Sequence, residues 1–135
     1  MSSVILASEF VTDTMGLVLR IERRRLGGKA KTLFEAAEAG TAIVHVPALV
    51  LAEILYLSEK RRIAISPRSV VSYFEQFPNY KESPMSFVVI QPAAEITDIP
   101  ELHDRLIADT ARVLNLSLIT NDPIIQASAF VRTVW

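Results

Sequence analysis

Four carboxylic acids hold positions from which metal-assisted chemistry could be run: Asp13, Glu53, Asp104 and Asp122. Asp13 and Asp122 each follow directly on a short apolar, β-branched run. In an open parallel sheet, ligands bind beyond the carboxyl ends of the strands. Each also precedes a helical segment, where Asp is a common N-cap, and taken singly that role accounts for it. Glu53 is the only charged residue between Pro47 and Leu57, in a stretch apolar at nearly every position. A helix apolar on all sides is normally buried, and a buried carboxylate must be paired with an arginine, protonated or bound to a cation. Asp104 lies early in a helix that begins near Pro100, where the positive end of the helix dipole favours an anion. Asp109 is five positions further on and, at about 100° per residue, is turned well away from Asp104, which makes it a residue behind the ligands or on the surface.

The residue types narrow the chemistry. The chain of 135 residues has no cysteine, so disulfides and thiolate ligation are excluded, and any metal site must use oxygen or imidazole. Its two histidines, His45 and His103, have no second His or Cys at ligand spacing, which argues against zinc. His103 reads as a partly exposed polar residue and His45 as a strand histidine with its hydrogen bond made. Oxygen-only acidic clusters suit Mg²⁺ or Mn²⁺. An aspartyl phosphatase or phosphate-accepting receiver is disfavoured: no second Asp stands two positions after Asp13, no acidic pair precedes it, and no Gly-rich phosphate cradle is present.

Strands alternating with helices must position these acids. Phe10 to Thr12 is a first strand, and Asp13-Thr14 caps a helix from about Met15 through Arg24. After the Gly27-Gly28 break, good helix formers run from Lys29 to Ala39, with Gly40 as the stop. Thr41 to Val46 reads as a buried strand, and Pro47 opens a helix to about Lys60. Ser66-Pro67 starts another helix, with Val70, Phe74 and Phe77 at core spacing up to Pro78. Phe87 to Ile90 is predicted as the third strand. Asp98 and Glu101 are predicted to form a capping box for a helix reaching Leu114. Ser117 to Thr120 is the fourth strand, a helical turn follows Pro123, and Val131 to Val134 adds an edge strand. The pattern implies one domain over 1–135, an α/β sandwich of three layers around a mostly parallel sheet of four to five strands.

Half of the residues are hydrophobic and the mean hydropathy is +0.32, rich for a small domain, so apolar side chains are left over for a subunit or partner interface. The most apolar stretch, Thr41 to Leu57, is interrupted by His45, Pro47 and Glu53, and Val4 to Ala7 is too short for a signal-peptide core. A soluble, untargeted, cytoplasmic protein is expected, with no membrane partner. The formal net charge of −1 does not suit binding of nucleic acid by overall positive charge. The cations are nonetheless clustered: Arg20, Arg23, Arg24, Arg25, Lys29 and Lys31 in one group, Lys60, Arg61, Arg62 and Arg68 in another. Solvated helix ends account for both when they are considered alone.

Four stretches together resemble a known family. They are Phe10-Val11-Thr12-Asp13-Thr14, Ala48-Leu49-Val50-Leu51-Ala52-Glu53-Ile54, His103-Asp104-Arg105-Leu106-Ile107-Ala108-Asp109-Thr110-Ala111, and Leu118-Ile119-Thr120-Asn121-Asp122. In this order they resemble PIN domains, especially the VapC toxins of toxin–antitoxin pairs, from about Phe10 to the C-terminus. The resemblance implies a PIN-like fold and a ribonuclease using Mg²⁺ or Mn²⁺ to activate water and stabilise the leaving oxygen. It makes Asp13, Glu53 and Asp104 ligands, direct or through water, with Asp122 completing the site and Thr14, Thr120 and Asn121 as polar support. Arg23, Arg24, Arg25 and Lys29 could then contact the RNA backbone. A homodimer and an antitoxin lying in the active-site groove are also implied. The chain departs from the pattern in three places: Asp109 stands where a small residue is common, the segment between Pro78 and Pro100 is short, and Ser2 to Ser8 form an additional leader. A non-catalytic PIN-like module that binds a protein is the alternative, disfavoured because all four acids remain.

Overall fold

In the computed structural model, which describes residues 8–135, five strands form one sheet in which every pair is parallel, in the order β3-β2-β1-β4-β5. Most of the predicted leader, Ser2 to Ala7, lies outside the described residues. The strands are β1 (Ser8–Thr12), β2 (Ala42–Pro47), β3 (Tyr80–Ser83), β4 (Ser117–Ile119) and β5 (Thr133–Val134). Consecutive residues of a strand point to opposite faces, and Val11 with Thr12, and Leu118 with Ile119, are all fully buried. Both faces of the sheet centre are therefore covered, as a parallel sheet requires.

The helices that cover it are α1 (Thr14–Ile21), α2 (Gly28–Glu38), α3 (Ala48–Glu59), α4 (Pro67–Gln76), α5 (Phe87–Ile90), α6 (Leu102–Leu114) and α7 (Pro123–Gln126). The first helix ends earlier than its sequence suggests: Glu22 caps it and Arg23 takes a left-handed φ of 56°. Ser66 caps α4, sharing reciprocal bonds with Ser69, and Pro67 fits the first turn. No helix among the described residues is long and apolar enough to cross a membrane.

Three local expectations are corrected. The third strand is Tyr80–Ser83, and Phe87–Ile90 is a single helical turn continued by a 3-10 turn over Gln91–Glu95. β3 is an edge strand whose Lys81 and Glu82 face water, and so it lacks the apolar signature of the central strands. Phe87 and Val88, which suggested a strand, are about 70% exposed. The N-cap of α6 is Glu101, which accepts from the Asp104 backbone N–H at 2.7 Å, whereas Asp98 accepts from Ser128 Oγ and the Ala129 N–H, both at 2.8 Å. Asp109 is fully buried and not on the surface. One of its oxygens lies 3.5 Å from Arg112, whose guanidinium also bonds Glu95 and the Pro92 carbonyl; the other oxygen has no partner among the described residues.

Away from the carboxyl ends of the strands, the Glu38 carboxylate ties four elements together. It accepts from Arg20 on α1 at 2.9 and 2.6 Å, from the Tyr73 hydroxyl on α4 at 2.5 Å and from the Tyr80 hydroxyl on β3 at 2.7 Å. Arg20 belongs to the first basic cluster, but its side chain is buried in this bond and not solvated. Burial alone would raise the Glu38 pKa; the bonds from Arg20, Tyr73 and Tyr80 outweigh it and hold the carboxyl at about 2. A folded-state pKa below the unfolded value of 4.5 means that the stabilisation is complete above that value and is lost as pH falls towards about 2. Glu38→Gln should cost about 3 kcal/mol at pH 7, because it strands a buried guanidinium. In urea titrations the gap between the two proteins should close across that acid window; a gap independent of pH would show that the carboxylate charge is not what stabilises.

Candidate active site

Strand order places the site. The chain runs from β1 to β2 and β3 on one side, then returns to lay β4 against the other side of β1. Crevices open at such reversals, beyond the carboxyl ends of the strands. Asp13 follows β1 and its N–H bonds the Ile119 carbonyl at 3.1 Å, extending the β1–β4 ladder by one residue. Asp122 follows β4 three residues after Ile119. The two acids thus flank the reversal.

Both act as helix N-caps as well. Asp13 Oδ1 accepts from the Gly16 N–H at 2.7 Å, and Asp122 Oδ1 from the Ile124 N–H at 2.9 Å. Capping engages one oxygen of each and fixes the carboxylate's direction. A Cβ at Gly16 would stand 2.8 Å from Thr12 Oγ1 and 2.9 Å from Asp13 Oδ1, so only glycine lets the first turn of α1 close around this carboxylate. The Thr120 hydroxyl, fully buried, accepts from the Asp122 N–H at 3.1 Å and lies near enough to the Asp13 carboxyl to lower its pKa.

Glu53 comes from α3 and Asp104 from the first turn of α6. Thr14 donates its hydroxyl to Glu53 Oε1, which locks α3 to the start of α1. The expectation of a helix buried on every side is corrected: Val50 and Ile54 are buried in α3, while Leu55 and Tyr56 are about half exposed and the Glu53 side chain keeps 28% of its surface.

All four acids line one open cavity of about 1000 Å³, together with Thr14 and Asn121. Thr120 lies beneath it, fully buried. Asp109 does not reach it, and neither do Arg23, Arg24, Arg25 and Lys29, which follow the far end of α1 or open α2. Sequence reasoning missed the apolar half of the lining, including Met15, Leu49, Tyr56, Leu57 and Ile107, and the part played by His103. His103 Nδ1 is 3.7 Å from Glu53 Oε2 and 3.3 Å from Glu101 Oε1, so it faces the acids. The helical spacing of Leu49, Tyr56 and Leu57 with Glu53 was the available signal for the former.

The cavity is electrostatically frustrated. Burial pushes the Asp13 carboxyl up to about 6, against the bonds from Thr120 and Gly16, and the charges of Asp122 and Glu53 push the same way. Burial likewise raises Asp104 to about 6, with repulsion from Glu101, Asp122, Glu53 and Asp13 adding to it. No lysine or arginine is among the lining residues. An all-oxygen donor set whose members repel one another fits a hard divalent cation. Among the described residues no three such side chains stand together as a preformed metal site.

A folded-state pKa raised above the unfolded 3.8 means that ionised Asp13 disfavours folding, with the cost absent below pH 3.8 and complete above about 6. Asp13→Asn keeps an oxygen for the Gly16 cap and removes the charge. In metal-free buffer at pH 7 it should stabilise the fold by on the order of 1–3 kcal/mol, and the gain should vanish towards pH 4. Thermal melts at the two pH values check this, and an Asn variant less stable at pH 7 would contradict it.

A profile described as PIN domain matches residues 11–131. No curated protein sequence matches the chain. Among solved structures, the fold is similar to VapBC2 from Rickettsia felis bound to a DNA fragment from its promoter (TM-score 0.69, 16% identity, covering 94% of this chain and 98% of that one). It is similar to DNA-bound VapBC from Salmonella typhimurium (TM-score 0.70, 16% identity, 94% and 97% covered). It is also similar to VapC20 from Mycobacterium tuberculosis, a toxin that cleaves the sarcin-ricin loop (TM-score 0.64, 18% identity, 90% and 96% covered).

Proposed function

The chain belongs to the PIN domain family, whose profile spans residues 11–131, and on that footing we propose that it is a divalent-metal-dependent endoribonuclease and the toxin of a toxin–antitoxin pair. One observation carries the chemistry: carboxylates from four separate elements line one cavity that no lysine or arginine neutralises. Asp13, Glu53, Asp104 and Asp122 would hold Mg²⁺ or Mn²⁺. When bound, the cation supplies positive charge against phosphate oxygens and makes water a better nucleophile.

The residues around the acids aim them. Thr14 holds Glu53 in place from the N-terminus of α1, and Thr120 holds the Asp122 backbone beside Asp13. Asn121 lies at the cavity edge, where its amide can contact a substrate phosphate. RNA as substrate and an antitoxin as partner rest on the resemblance to VapC toxins, with the sarcin-ricin-loop toxin as the supporting neighbour. The exposed Phe87, Val88 and Ile90 of α5 provide an apolar surface for a homodimer. Arg23 and Arg24 are poor candidates for backbone contacts near the cut, since Arg23 stands 3.7 Å from Glu38 and Arg24 3.2 Å from Glu22, at the far end of α1.

Purified protein, free of antitoxin, should cut a total-RNA pool with Mg²⁺ or Mn²⁺ and stop with EDTA. Asp13→Asn and Glu53→Gln should each lower the rate more than about 100-fold, the larger end of what even indirect disturbance of a metal site costs. Folded protein that cuts no RNA with either metal would overturn the reading in favour of a non-catalytic protein-binding module.

A further inference from the structure

The cavity does not end at its acids. Leu49, Ala52, Glu53, Tyr56 and Leu57 line it at helical spacing, so that one face of α3 forms a continuous wall from the carboxylates to the helix C-terminus. The wall ends in a paired ring and cation: Lys60 Nζ stands over the Tyr56 ring, 5.7 Å from its centroid. Tyr56 is 52% exposed, although nothing about a helix C-terminus requires an aromatic residue to face water there. Lys60, Arg61 and Arg62 follow in succession, all exposed. A polyanion entering an acidic cavity needs a cation beyond the acids, and Lys60 stands at the end of this wall.

We propose that Tyr56 and Lys60 form a nucleotide subsite: a base next to the scissile phosphate stacks on the Tyr56 ring, and a flanking phosphate pairs with Lys60. The assignment rests on the ribonuclease reading and adds the path of the strand, along α3 and away from the Arg23–Arg25 cluster. Single-stranded RNA is the ligand class, because stacking on an exposed ring needs an unpaired base. Tyr56 is thereby a substrate-contacting residue, and Lys60 sets affinity without reading the base.

The test uses the full chain carrying Asp13→Asn, so that RNA survives, with Mg²⁺ present. Fluorescence anisotropy follows a labelled mixed-sequence oligoribonucleotide and an abasic oligomer of the same length. Tyr56→Ala should weaken binding of the base-bearing strand about tenfold, within the range for loss of one stacked base, and leave the abasic strand unaffected. Tyr56→Phe should bind as its parent does. Lys60→Gln should weaken both strands and reduce the salt slope by about 0.7, the share of one phosphate contact on a single strand. Equal binding by the Tyr56→Ala variant and its parent, or an equal loss on both strands, would overturn the subsite while leaving the nuclease reading in place. So would a Tyr56→Ala variant that binds RNA normally but no longer holds a partner protein, which would make this end of the groove a protein-docking face. Failure of the parent to bind either strand, together with no cleavage by the wild-type protein, would remove both.

Discussion

The reversal of strand order beside β1 is the constraint on which the remaining arrangement depends. A parallel sheet aims all its strand ends to one side, and reversal leaves a gap between the connections that depart left and right. Here that gap lies between β1 and β4, and the residues emerging on either side of it are Asp13 and Asp122. The helix after β2 and the helix before β4 supply the other two acids. Carboxylates 109 residues apart in sequence are thus gathered by topology, without any local motif containing more than one of them.

Gathering like charges opposes folding, and the surrounding structure compensates through positioning bonds and not through counter-charge. Gly16 donates to Asp13 and Thr14 to Glu53, and each donor is a neutral group. Neutral donors orient an anion without quenching it, so the negative potential remains for a cation to satisfy. Arginine is used differently. Arg20 meets Glu38, and Arg112 meets Asp109 and Glu95, both away from the cavity lining. Charge is cancelled where it serves packing and left uncancelled around the cavity.

Much of this was legible in the chain itself. The alternation of β-branched runs with capped helices gave a parallel α/β sandwich, and two acids after strands, one in an apolar helix and one early in a late helix were the four that share the cavity. What escaped had physical reasons. β3 carries charged residues because at the sheet edge it is less covered on both faces, so Lys81 and Glu82 disguised it while Phe87–Ile90 imitated it. For Asp109 helical phase left two positions open, behind the ligands or on the surface, because it tells which way a side chain points but not what packs there; it is buried off the cavity, beside Arg112, which bonds Pro92 and Glu95 of the 3-10 turn. The exposed flank of α3 was hidden for a related reason, since an apolar helix carries no mark distinguishing the side that meets a core from the side left open. Distances between elements, which decide that Arg20 is bonded to Glu38 and not to solvent, are not encoded in any short window.

The two ends of α1 have unlike duties. Its first turn holds Asp13 and Thr14 in the cavity; about 9 Å further along the axis, at 1.5 Å per residue, Arg20 is clamped by Glu38, which Tyr73 and Tyr80 hold in turn. The helix therefore behaves as a strut whose footing is remote from its tip. In a genetic screen for harmless variants, substitutions at the footing would surface beside those at the tip, and a count of acidic residues would not separate them. The separation lies in the sign of the thermodynamic effect: removing a strut's anchor loosens the metal-free protein, whereas removing a self-repelling carboxylate firms it.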